Sequence, residues 1–225
     1  MKTGIMLLPL LASIFVFNQG LHGQTMILGL EGGFPNHCEA YKNYFEDGKL
    51  WGGSISTPLA SNLEVGLRLS HSTWEAVDGN TLGELSFSRH YTHLPWESQG
   101  HGTITEVCIS LRLLSRPGWH KKVGFFAQLG YGYYWIDLNA LYQNPSMCLA
   151  PNYSDPSCEG YQVSYDRNNP GINVGVGAVV HILSRLTAEI QPSARVIFAE
   201  EDRISYYSFD VSMRYRLDLG STEEQ

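Results

Sequence analysis

Glu31, Glu64, Arg68, Glu106, Arg112, Glu189, Arg195, Asp210, Arg214 and Arg216 all stand at alternating positions within stretches whose other alternate positions are largely apolar. Side chains two residues apart on a strand share a face, so these acids and bases occupy one side and the apolar residues the other. Mid-strand carboxylates and arginines in near balance suit an enclosed ion-pair network, because a buried charge is tolerated only beside a partner. A merely solvated face more often uses Lys, Thr and Asn. The chemistry this pattern predicts is structural.

The remaining reactive side chains offer less. His90 and Thr92 have the spacing that sets a base and a hydroxyl on one strand face, whereas His71 and Ser72 are adjacent and face opposite ways. A catalytic His90 would need an acid such as Glu84 or Glu97 to orient it. His90, His93 and His101 match no strong zinc spacing, so neither a metal nor a cofactor is expected. Cys148 and Cys158 flank a turn-rich segment, residues 149–157, which a disulfide between them would close. Cys38 and Cys108 read as separate thiols, since a mid-strand cysteine is poorly placed to reach a loop.

Strands must position the charged set. The closing stretch, residues 204–219, places Tyr207, Phe209, Val211, Met213, Tyr215, Leu217 and Leu219 opposite Ser208, Asp210, Ser212, Arg214, Arg216 and Asp218. That alternation runs about twice the usual strand length, which suits a tilted strand crossing a bilayer. Earlier strands are predicted over 25–34, 50–57, 63–73, 105–113, 123–135, 172–182 and 186–198, with a bulge at Pro192, where a ladder donor is missing. Tight connections (58–62, 116–122, 184–185) alternate with longer ones (35–48, 74–102, 139–169), and the second long one is read with its own hairpin over 82–91. About eight strands in antiparallel order make an all-β, up-and-down barrel, with short turns at one end and loops at the other.

Composition agrees with a partly dry exterior. Only 16% of the 225 residues are charged, and a net charge of −7 with no basic stripe argues against a nucleic-acid partner. Residues 1–23 read as a secretory signal, with Lys2 before an apolar run and cleavage expected before Gln24; residues 24–219 form the barrel and 220–225 a tail. The apolar run is too short for a comfortable transmembrane helix, and no later stretch approaches one, so any span is made of strands. Alternation alone does not say which face is inside. A soluble lipocalin-like barrel would turn its apolar face inward around a ligand. The balanced charges and the aromatic residues near strand ends (Trp51, Tyr131, Tyr133, Trp135, Tyr207 and Tyr215) favour the inverse, with lipid as the outer partner.

On the LGLEGGF opening (28–34), the YSFDVSMRYRL close (207–217), the signal and the strand pattern, the chain resembles the OmpA/OmpX-like group of small outer-membrane barrels of Gram-negative bacteria. Such barrels usually end on an aromatic residue, whereas here 220–225 follow Leu219. The resemblance implies an eight-stranded transmembrane barrel in the outer membrane, filled by side chains and non-enzymatic, which either stabilises the envelope or presents its longer loops to an extracellular partner; the alternative is an enzyme that modifies lipid A. Lipid A deacylases share that architecture and use a His-x-Ser pair on one strand face. Here Thr92 replaces the serine, and Asn169, Pro170 and Gly171 are similar to an NPG element of that family.

Overall fold

The computed structural model describes residues 25–36, 45–76, 97–115, 122–143, 161–199 and 203–218. Eight strands follow one another: β1 (Thr25–Pro35), β2 (Lys49–Ala60), β3 (Leu63–Glu75), β4 (Glu97–Leu114), β5 (Val123–Gln143), β6 (Tyr161–Leu183), β7 (Leu186–Phe198) and β8 (Arg203–Asp218). Each pairs antiparallel with the next, and β1 pairs with β8 from Thr25↔Asp218 to Pro35↔Ser208, closing the barrel. Closure removes the sheet edge, and with it the row of unpaired backbone groups that an open sheet would present.

The period-two pattern decides the two faces. Leu30, Phe125, Leu129, Val176, Ile190, Val211 and Met213 are exposed on the outer wall, while Glu64, Arg68, Glu106, Arg195, Asp210 and Arg214 are buried inside. This orientation overturns the lipocalin-like alternative, because the continuous apolar surface lies outside and the charges fill the interior.

Above Trp135 the pattern changes phase. On β5 the inward residues become Ile136, Leu138 and Ala140, all buried, while outward Asp137 and Asn139 are exposed. On β4, inward Ile104 follows the same rule; on β8, inward Ile204 and Tyr206 do. With Phe45, Trp74, Tyr134 and Ile197 these side chains form an apolar plug at the loop end. Phe45 is held there by a bridge to Ala76, and the Trp74 indole donates to the Asn36 carbonyl at 3.1 Å.

Several boundaries differ from the expectations. β2 runs through Pro58 to Ala60, leaving only Ser61 and Asn62 to turn. β4, β5 and β6 are much longer than expected: on β5 the buried Ile136, Leu138 and Ala140 continue the inner face after the outer face turns polar, and β4 and β6 stay paired alongside it. Asn169, Pro170 and Gly171 therefore lie inside β6, paired with Tyr134, Tyr133 and Gly132. Pro192 produces no bulge: it stays in register with Phe209, and the β6–β7 pairing resumes unchanged on either side. Gly100 on β4 has φ of 146°, and a Cβ there would run into the Asn139 carbonyl, so the residue must be glycine. The expected hairpin over 82–91, His90, Thr92, His93, Cys38, Cys148, Cys158, the signal segment and the tail lie outside the described residues.

Candidate functional site

The lumen holds the ionisable side chains in two groups. Nearer the turn end, Arg112 donates through Nη2 to Glu189 Oε1 at 2.7 Å and stands 4.0 Å from Glu64. Arg214 joins the same two acids from the other side, at 2.7 Å to Glu64 Oε2 and 3.4 Å to Glu189 Oε1, and also donates to Ser56 at 2.6 Å. Two cations thus alternate with two anions, and the Phe126 ring covers the Arg112 guanidinium at 3.7 Å.

Farther up, Arg68 links Glu31 (2.7 Å) to Asp210 (3.1 Å), and Arg195 links Glu106 (2.8 Å) to Asp210 (3.3 Å). Three carboxylates here share two guanidiniums, and neutral donors supply the rest. Glu106 accepts from Ser70, Tyr134 and Asn173; Asp210 accepts from Ser193 and Ser208; Arg195 donates to both of those serines. Charged hydrogen bonds of this kind compensate the desolvation of ions held in a dry interior. Arg68 Nη1 and Arg112 Nε have no hydrogen-bond partner among the described residues.

Glycines make room for these side chains. A Cβ on Gly52 would meet Glu31 Oε1 at 2.7 Å, and one on Gly33 would meet Asp210 Oδ1 at 2.7 Å. The inward glycines of β1 and β2 are therefore floor space across which the carboxylates lie. Gly29, beside Arg214 on β1, likewise lets that arginine pass toward β3.

The structure brings together Glu31, Glu64, Arg68, Glu106, Arg112, Glu189, Arg195, Asp210 and Arg214. Arg216 does not join them. It lies at the rim, donating through Nε to Asp218 at 2.8 Å with a third of its side chain exposed. Arg214 meets Glu189 on the neighbouring strand, but its shorter bond is to Glu64 across the lumen, while Glu31 is held by Arg68. Cys108 is a free, fully buried thiol beside this network.

Single-strand spacing gave no sign of the neutral donors Ser70, Tyr134, Asn173, Ser193 and Ser208, nor of the histidine–hydroxyl contact on the outer wall. There His71 Nδ1 lies 2.9 Å from Thr105 Oγ1, across the β3–β4 register, with Trp51 tilted against the imidazole at 5.3 Å between ring centres. Among the described residues no carboxylate orients that imidazole. Every carboxylate of the described lumen is engaged by at least one guanidinium, so the arrangement neutralises charge and fills space.

No family model matches the chain, and no curated protein does. Among solved structures it is similar to the N-terminal β-barrel domain of Pseudomonas aeruginosa OprF, with 11% identity over 87% of this chain and 98% of that one and a TM-score of 0.46. It is similar to a major outer membrane protein from Thermus thermophilus at 15% identity, covering 87% and 100% with a TM-score of 0.46. The outer membrane protein OprG from Pseudomonas aeruginosa is similar at 9% identity, covering 87% and 96% with a TM-score of 0.46.

Proposed function

We propose that the protein is an integral outer-membrane barrel with a sealed lumen, a rigid scaffold that carries its longer connections at the outer surface. The observation that carries this reading is the phase change on β5. From Val123 to Trp135 the outer wall is apolar and the inner wall is small, polar or aromatic; above Trp135 the outer wall turns polar and the inner wall apolar. Water on both sides would favour one phase throughout. A hydrocarbon layer ending near Trp135 explains why the phase reverses there, since a strand in lipid needs an apolar exterior and a strand in water needs an apolar interior.

The dimensions agree with this placement. Residues 123–135 rise about 30 Å along a barrel axis at a tilt of roughly 40°, close to the thickness of a hydrocarbon core. Trp51, Trp135 and Tyr207 stand exposed toward the loop end of the apolar wall, where amphipathic rings sit at a membrane interface. Ion pairs and plug fill the interior, as an eight-stranded barrel allows, so transport of solutes is not part of the role.

Fractionation tests the reading. The protein should remain with outer membranes through a carbonate wash and leave them only in detergent. Recovery from the periplasm as a soluble species would overturn it.

A further inference from the structure

Where the apolar wall ends on β4, β5 and β6, the outer surface dips into a concavity of about 340 Å³ lined by Thr103, Thr105, Trp135, Asp137, Asp166 and Asn168, with the paired Ile136 and Arg167 completing it. Register explains the grouping. Thr105, Trp135 and Asn168 are cross-strand neighbours on one outward row, and Thr103, Asp137 and Asp166 form the next row toward the loops. The site therefore has an indole at its base and hydroxyl, amide and carboxylate groups above it. His71 holds the Thr105 hydroxyl from the neighbouring strand at 2.9 Å.

Asp137 and Asp166 stand directly opposite each other, both exposed, with no hydrogen bond or ion pair among the described residues. Like charges in that relation destabilise a sheet. With Arg167 in the same lining the charge is still net negative, which disfavours a phosphate, and the two carboxylates are good acceptors for the hydroxyls of a sugar, whose C–H face packs on an indole ring. Polar groups that outnumber the apolar ones around a single indole suit a hydroxyl-rich headgroup rather than a wholly apolar ligand.

The surface below it narrows the choice of ligand. Tyr133, Tyr131 and Leu129 continue outward down β5 from Trp135, beside Val174 and Val176 of β6, and most of this lane is exposed apolar side chain. A free glycan would use only the concavity. An amphiphile uses the concavity and the lane together.

We infer that this concavity binds the sugar headgroup of a glycolipid in the outer leaflet, with the acyl chains lying along the β5–β6 wall. The inference rests on the membrane reading above, and the test separates the two. The full chain is inserted into phosphatidylcholine vesicles containing either a monoglucosyl diacylglycerol or phosphatidylglycerol, and the protein is examined by native mass spectrometry after gentle release. Heat-dependent gel mobility of the same samples reports insertion and folding.

The glucolipid should be retained selectively over phosphatidylglycerol. Retention should fall about tenfold in Trp135→Ala and in the double variant Asp137→Asn, Asp166→Asn, in keeping with the loss of a stacking surface or of two acceptors. Methyl glucoside in excess should not displace it. Equal retention of both lipids by a folded, inserted protein would overturn the inference and leave the membrane reading intact, as would undiminished retention in both variants. Displacement by methyl glucoside would reassign the site to a free glycan and overturn the lipid assignment. Failure of the parent to insert would remove both readings.

Discussion

Arg195 donates through Nε to Glu106 at 2.8 Å, with side-chain exposures of 0% and 1%. The two residues sit on β7 and β4, on opposite walls, so the bond spans the lumen. Tyr206 from β8 stands against the same guanidinium, its ring centre 5.3 Å away. This pair ties the charged interior to the apolar plug above it.

Removing one partner should therefore cost more than removing both. Arg195→Met leaves Glu106 and Asp210 short of a cation and should destabilise the barrel by about 3–5 kcal/mol, while pairing it with Glu106→Gln should restore much of that loss. Urea midpoints of the vesicle-inserted variants would measure the coupling. Additive losses would show that the two side chains do not share a dry site.

Arg214 and Arg216 provide an internal comparison on one strand. Arg214→Leu frees two buried acids, Glu64 and Glu189, and should cost roughly 3 kcal/mol. Arg216→Leu removes a partly exposed rim pair with Asp218 and a long contact to Thr25, and should cost about 1 kcal/mol or less. Similar midpoints for the two variants would contradict the division between lumen and rim.

Sequence alternation made the strands and the two faces of β1, β3, β7 and β8 legible, because each keeps one phase over most of its length. It understated β4, β5 and β6 for a physical reason. Ile136 and Leu138 belong to the inner face after Trp135 has closed the outer one, so two consecutive apolar residues, Trp135 and Ile136, look like the end of a strand. The ionisable set was legible as a face, but its pairing was not. Arg214 reaches Glu64 and Arg68 reaches Glu31 because glycines on β1 and β2 clear the way, and nothing local to either arginine encodes that route. Arg216 keeps the inward phase of β8, yet it lies so near the strand end that Asp218 captures it.

The glycine floor gives a third expectation. A Cβ at Gly52 would crowd both the Leu69 carbonyl and the Glu31 carboxylate, whereas one at Gly53 approaches the Gly29 carbonyl no closer than 3.3 Å. Gly52→Val should lower the unfolding midpoint by an amount equivalent to about 1–3 kcal/mol, and Gly53→Ala should lie near the parent. The same urea titration reads both, and the reverse order would show that the Glu31 side chain does not lie across Gly52.

The proposed seal has an electrical consequence. Planar-bilayer recordings of the purified barrel should show no steady conductance, and Phe45→Ala with Trp74→Ala should still show none, since both ion-pair groups remain below the plug. A stable open channel in the parent would mean that the charged groups line a water column.

Spin labels on single cysteines test the central claim most directly. In a background with Cys38, Cys108, Cys148 and Cys158 replaced by serine, labels at Leu129, Val174, Ile190 and Val211 should collide with dissolved oxygen and be shielded from a water-soluble nickel chelate when the protein is in vesicles. Labels at Asp137 and Asn139, beyond the phase change, should show the opposite preference. Chelate access at Leu129 and Val211 equal to that at Asn139 would contradict the account, because the apolar wall would then face water.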